Sequence, residues 1–167
     1  MKLILDIDDV LADTVAALVR EWGPAEDPTS ESLQDFFPGA DLPLRLQDPA
    51  FNLSIPPVEG SVEGVAQLVK VGHTILYLSA RIPGLTDATL KWLSTWQFPG
   101  AQLHCVGREA KQAMLWTQPY DLLIDDQLRY LEIPEQRGIR ALAYAYPWNA
   151  SWGGPRVASW VALIAAI

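Results

Sequence analysis

The chain has 167 residues, half of them hydrophobic, which is long enough to enclose one core and short for two, so a single domain with one insertion is expected. With 20 acidic against 12 basic residues its formal charge is −8, which excludes a general nucleic-acid or anionic-membrane surface and requires any anion to be met by locally placed cations. No basic leader or cleavage site precedes the first apolar run and no segment is long enough to span a bilayer, so a cytoplasmic protein is expected.

In chain order, the run Lys2–Asp6 reads as the first strand and ends in a cluster of carboxylates, Asp6, Asp8, Asp9 and Asp13. In open α/β sheets ligands bind just past the carboxyl ends of strands, so this acidic ending lies where chemistry is expected. Strand alternation puts Asp6 and Asp8 on the same side, able to share a metal ion or a substrate. Two such close carboxylates repel, and a hard, oxygen-liganded cation such as Mg²⁺ relieves the repulsion.

Residues 12–22 follow with helical spacing. The segment 23–57 then breaks the rhythm: it holds seven of the 13 prolines together with Phe36, Phe37 and Phe51, and is too long for an ordinary connection. It reads as a small, mostly helical insertion covering the strand ends, dividing the chain into a core of 1–22 and 58–167 and a cap of 23–57. Beyond it, helical patterns at 62–71, 87–96, 109–117 and 128–136 alternate with strand patterns at 74–78, 102–106, 122–125 and 139–143. Such alternation predicts a doubly wound, Rossmann-like α/β/α fold with a parallel sheet of about five strands. The apolar stretch 157–167 reads as a helix packed on the sheet. Cys105, the one cysteine, lies in an apolar strand pattern and reads as a buried structural thiol, and the Asn149-Ala150-Ser151 triplet is discounted as a glycosylation signal in a cytoplasmic chain.

Three further groups fall at strand ends. Ser79, Ala80 and Arg81 follow the second strand, where a hydroxyl, turn N–H groups and a guanidinium make a phosphate cradle, though Ser and Arg are also common turn residues. Arg108 and Lys111 stand in the first turn of a helix, against the preference of its macrodipole; they point to an anion nearby or, alternatively, to a solvated lysine. Asp125 and Asp126 end the fourth strand as a second acidic pair, whose alternative is a helix N-cap with its first turn.

The four groups in this order resemble the motifs of the haloacid dehalogenase superfamily of phosphohydrolases: an Asp-x-Asp after the first strand, a Ser or Thr after the second, a Lys or Arg near a helix start, and a later acidic pair. The resemblance spans Lys2 to about Tyr146, and Asp-x-Asp-x-Val-Leu-Ala-Asp, the insertion after it and Leu-Ile-Asp-Asp look most like the deoxyribonucleotidase branch. Asp9 departs from the glycine usual at its position. The resemblance implies a Mg²⁺-dependent phosphomonoesterase in which Asp6 attacks phosphorus to give an aspartyl-phosphate and Asp8 protonates the leaving alcohol, then activates water. Metal ligands would be Asp6, Asp8 through its backbone carbonyl, Asp125 and Asp126. Ser79, Ala80, Arg81 and Lys111 would bind the phosphate.

The substrate implied is a (deoxy)nucleoside monophosphate; alternatives are a sugar phosphate or another small metabolite, or a catalytically silent binding protein on the same fold. Trp22, Phe36, Phe37 and Phe51 either stack on a base or form the insertion's own small core. Trp92 and Trp96, four apart on a helix, read as packing. Residues 146–149 either line the cleft or pack on themselves. A receiver domain has the wrong motif order, and a carbon–halogen hydrolase would lack Asp8. Partners reduce to a small phosphomonoester, with neither nucleic-acid polymer nor membrane, on a monomer or homodimer.

Overall fold

The computed structural model describes residues 1–30 and 32–167. Among them, six strands form one parallel sheet in the order β3-β2-β1-β4-β5-β6: β1 (Lys2–Leu5), β2 (Thr74–Ser79), β3 (Gln102–Cys105), β4 (Leu122–Asp125), β5 (Arg140–Tyr144) and β6 (Arg156–Val157). The order is that of a doubly wound sheet. From β1 the chain steps outward to β2 and β3, then returns to the other side of β1 with β4, so the direction of winding reverses between β1 and β4, where such sheets open their ligand crevice.

The strands are apolar on both faces because helices cover both. On β1, Leu3 and Leu5 join the large core formed with Leu18, Val65, Trp92, Trp160 and Leu163, whereas Ile4 joins Leu76, Leu78, Leu123, Leu115, Tyr130 and Ile133 on the opposite face. Helices α1 (Thr14–Trp22), α5 (Ser61–Lys70), α6 (Thr86–Thr95) and α9 (Trp160–Ala166) therefore supply one layer, and α7 (Arg108–Thr117) and α8 (Leu128–Gln136) the other. The three-layer α/β/α reading holds. The expectation of about five strands falls short by β6, a two-residue strand on the edge beside β5, and the expected helix 157–167 starts only at Trp160, where the Ser159 hydroxyl caps it by accepting from the Ala162 N–H at 3.2 Å.

Among the described residues between α1 and α5 are three short helices, α2 (Leu33–Phe36), α3 (Leu42–Gln47) and α4 (Pro49–Ser54). Asp41 and Asp48 accept the N-terminal N–H groups of α3 and α4, each of which also carries a proline in its first turn, so the proline-rich composition produces short helices rather than a long one. The ends of this stretch are pinned to the core: the Asp13 N–H donates to the Pro56 carbonyl at 2.9 Å and the Val58 N–H to the Leu11 carbonyl at 2.7 Å. Phe36, Phe37 and Phe51 are all buried in the large core, which runs without a break from the sheet into this segment. Trp92 is fully buried, donates to the Ile55 carbonyl at 2.7 Å and stacks on Phe98, while Trp96 is 38% exposed and is not part of that packing. Cys105 is buried, as its setting predicts. No helix among the described residues is long and apolar enough to cross a membrane.

Candidate active site

β1 ends at Leu5, one residue earlier than the sequence pattern suggests, although the Asp6 N–H still reaches the Ile124 carbonyl at 3.0 Å. The chain then turns tightly, with the Leu11 and Ala12 N–H groups both on the Ile7 carbonyl and Asp9 at φ +58°. Such a left-handed backbone explains why glycine suits this position, and aspartate is among the few other residues that adopt it readily. The Asp9 carboxylate completes the turn by accepting the Val15 N–H at 2.9 Å.

Because the strand has ended, its alternation no longer governs the carboxylates, and the Asp6 and Asp8 side chains take separate protein partners. Asp6 faces Lys111, whose ammonium lies 2.8 Å from Asp6 Oδ1 and 2.8 Å from Asp125 Oδ2. Asp8 instead faces Arg81, which donates through Nε at 3.0 Å and through its terminal nitrogen at 2.7 Å, while the Thr14 hydroxyl adds a bond of 2.6 Å. The guanidinium is 4% exposed and also meets the Thr89 hydroxyl at 3.2 Å; it is thus neither a surface ion pair nor free to face an incoming phosphate without leaving Asp8.

Lys111 is not the solvated lysine of the alternative reading: it is fully buried at the start of α7, with its ammonium 4.1 Å from the centre of the Tyr130 ring. Nor are Asp125 and Asp126 the N-cap of α8. Gln127 occupies that position, and Asp125 closes a local turn by accepting the Gln127 N–H at 2.9 Å. Asp126 Oδ2 accepts from the Gln127 side chain at 2.7 Å and from the Trp148 indole at 2.9 Å. Ser79 is fully buried, its hydroxyl accepting the Arg81 N–H at 3.1 Å.

One oxygen from each of Asp6, Asp125 and Asp126 lies within 4.8 Å of the others, all on buried side chains. Burial pushes the Asp6 carboxyl well above the usual range; the Lys111 charge opposes this, and Asp125, Asp126 and Asp8 reinforce it. Burial, followed by the charge of Asp125, pushes Asp126 up to about 7. Asp9 is also raised, by burial and then by Asp126. Negative charge is therefore in excess at the three-oxygen group even with Lys111 beside it. Compact, hard and undercompensated, this donor set fits a divalent cation of the Mg²⁺ type. Asp8 differs: burial raises its carboxyl, but the charge and hydrogen bonds of Arg81, with Thr14, outweigh this and hold it below the usual range.

A cavity of about 430 Å³ opens over this corner. Asp6, Asp8, Asp9, Ala80, Arg81 and Asp126 form its floor, whereas Ser79 and Lys111 stand behind the lining. Its far walls come from the segment between α1 and α5, including Leu33, Gln34, Phe36, Leu46 and Gln47, and from Trp148. Of the four aromatic rings considered for stacking, Phe36 lines this cavity; Trp22 and Phe37 pack edge-to-face at 5.4 Å, and the Phe51 ring lies under the Arg45 guanidinium at 4.5 Å. Residues 146–149 do both things considered for them: Trp148 walls the cavity, and the Asn149 amide donates to the backbone carbonyls of Asp126 and Tyr144 at 2.7 and 2.8 Å. Thr14 had no place in the sequence reading of the site, and Asp9, Trp148 and Asn149 entered it only as part of the first acidic cluster and of the loop 146–149. Asp9 lay within the first acidic cluster and so carried a signal, while the Thr14 contact depends on the tight turn after β1 and those of Trp148 and Asn149 on packing between distant segments.

Comparison with known proteins agrees with this geometry. No protein-family model matches the chain. It is 28% identical over 128 residues to a Bacillus cereus protein named "Putative nucleotidase", covering 75% of this chain and 68% of that one. Among solved structures it resembles the D,D-heptose 1,7-bisphosphate phosphatase of B. bronchiseptica, complexed with magnesium and phosphate, with a TM-score of 0.57, 14% identity and coverage of 99% and 97% of the two chains. A HAD-superfamily hydrolase of subfamily IA from Geobacter sulfurreducens gives a TM-score of 0.58 at 13% identity, with coverage of 99% and 95%. Strand order, the acidic corner at the switch point and these likenesses together identify the fold of this chain as that of the haloacid dehalogenase-superfamily hydrolases.

Proposed function

We propose that this protein is a Mg²⁺-dependent phosphomonoesterase that works through an aspartyl-phosphate on Asp6, and that its substrate is a nucleoside monophosphate. The observation that carries the reading is the meeting of Asp6 and Asp126, on the floor of a cavity of about 430 Å³, with Asp125 and Lys111 buried behind them. Asp6, Asp125, Asp126 and the Asp8 backbone carbonyl would hold the cation. When bound, it supplies positive charge to the equatorial oxygens of the transferring phosphoryl group and favours the ionised form of Asp6.

The chain's own residues do the rest. Lys111 holds Asp6 and Asp125 in fixed positions from behind, so the nucleophilic oxygen is oriented before substrate arrives. Asp8 stands on the cavity floor, where it would give a proton to the leaving oxygen and later take one from water. In the resting arrangement Arg81 and Thr14 keep it ionised. Phosphate entering the floor competes for the guanidinium, and a loosened Arg81 lets Asp8 take up the proton that the leaving group needs. Ser79 and the backbone around Ala80 shape the turn from which Arg81 extends.

The segment 23–57 acts as the cap that excludes water and selects the leaving group. Support for a nucleotide comes from the likeness to the Bacillus cereus protein and from a cavity whose apolar walls at Leu33, Phe36 and Leu46 alternate with the polar side chains of Ser32, Gln34 and Gln47. The test is phosphate release from ribo- and deoxyribonucleoside monophosphates, sugar phosphates and an aryl phosphate, each with Mg²⁺ and with chelator. Turnover strongest on nucleotides is expected; turnover on sugar phosphates alone would overturn the substrate, and none on any would overturn the chemistry.

A further inference from the structure

Trp148 occupies a position shared by two parts of the site. Its indole N–H donates to Asp126 Oδ2 at 2.9 Å, and the Gln127 amide donates to the same oxygen at 2.7 Å, so these two donors leave Oδ1 to face a cation. Its ring is stacked on Tyr146, with centroids 4.2 Å apart and planes 6° from parallel, and is met edge-on by Phe36 at 5.4 Å. Phe36 belongs to α2 in the segment between α1 and α5, and both rings line the cavity. The residue is 6% exposed. Asn149, next in the chain, fixes the turn beneath it by donating to the Asp126 and Tyr144 carbonyls and accepting the Tyr146 N–H at 3.1 Å. The indole is thus held on one face by Tyr146, in an edge contact by Phe36 and at its one polar atom, with little freedom to adopt another rotamer.

We propose that Trp148 is a positioning residue that joins the metal corner to the leaving-group cavity, its N–H orienting the Asp126 carboxylate while its ring forms the wall shared with Phe36. The inference rests on the metal-dependent reading above and adds a specific residue to it. A carboxylate whose second oxygen is held by donors presents its first oxygen in one direction, and loss of such an outer donor typically weakens metal binding by about 10- to 100-fold.

The test is calorimetric titration of Mg²⁺ into the metal-free chain, comparing wild type with Trp148→Phe and with a chain carrying 3-benzothienylalanine at 148, an isostere of tryptophan that lacks the N–H. The isostere keeps the stacking on Tyr146 and the edge contact with Phe36, so a purely structural role would leave its Mg²⁺ affinity unchanged. A Kd at least about tenfold weaker in the isostere, with a cooperative melting transition retained in chelator and turnover recovered at high Mg²⁺, is the expected result. Wild-type affinity in the isostere would overturn the inference, and so would a wild type that binds no Mg²⁺. Hydrolysis of an aryl phosphate by the wild type, measured alongside, separates the two levels: turnover with unaltered affinity in the isostere removes Trp148 and keeps the phosphatase, whereas absent turnover removes the phosphatase reading whatever the titration gives.

Discussion

Arg81 holds Asp8 by two hydrogen bonds, of 2.7 and 3.0 Å, across 73 positions of sequence. The pair joins the loop after β2 to the turn after β1 and keeps the carboxylate on the cavity floor ionised. Replacing the arginine tests that relation. In Arg81→Gln the carboxyl loses the charge that, together with hydrogen bonds, offsets its burial, so the limb of the pH–rate profile governed by Asp8 moves to higher pH. kcat falls by about a hundredfold, because the acid–base group is no longer oriented. An unmoved profile in a folded variant would dissociate Arg81 from Asp8 function.

Lys111 pairs with both Asp6 and Asp125, and all three side chains are buried. Lys111→Ala leaves two buried carboxylates facing each other and is expected to lower stability by about 3–5 kcal/mol in chelator. Mg²⁺ restores part of that loss by replacing the missing positive charge. Chemical denaturation with and without Mg²⁺ measures both effects, and a variant as stable as wild type in chelator would contradict the pairing.

Crowded carboxylates give the metal-free chain a distinctive response to pH. Asp126 titrates at about 7 when folded against 3.8 ordinarily, so the folded state binds more protons than the unfolded state between those values. Stability present below 3.8 is therefore lost progressively as pH rises to about 7, and the raised Asp6 and Asp9 act in the same direction. Asp8, which is lowered, acts below its ordinary value and outside this window. In chelator the melting temperature should fall from about pH 5 to about pH 7, and saturating Mg²⁺ should remove most of the difference. A melting temperature that climbs over this range in chelator would refute the acidic-corner account.

Packing within the large core offers a further prediction. A Cβ added to Gly64 on α5 would lie 2.3 Å from the Trp160 ring, and Trp160 is itself fixed by its indole bond to the Val10 carbonyl at 3.0 Å. Gly64→Ala is expected to cost about 1–3 kcal/mol through overpacking, despite alanine's better helix propensity. A stabilised variant, read by thermal melting, would mean that α9 can shift without loss.

The sheet and the acidic groups were legible because β1, β2 and β4 are apolar runs that lead into chemistry-bearing residues, a pattern that needs only local sequence. β6 was not, since two residues carry no periodicity and its pairing depends on β5. Asp6, Asp125 and Lys111 were recognisable by type and order, but the division of labour that gives Asp8 to Arg81 rather than to Asp6 depends on where β1 stops. Trp148 was seen as a loop residue with two open readings; its bond to Asp126, 22 positions away, arises from tertiary placement after β5. The insertion aromatics were ambiguous for the same reason: Phe36 and Phe37 are adjacent, yet one lines the cavity and the other packs against Trp22.

The central claim, nucleophilic attack by Asp6, is tested most directly by comparing phosphate release from an aryl phosphate by wild type and by Asp6→Asn, with Mg²⁺ and with chelator. Circular dichroism and melting establish that the variant is folded. The account predicts metal-dependent turnover by the wild type and none by Asp6→Asn; a folded Asp6→Asn that releases phosphate at the wild-type rate would contradict it.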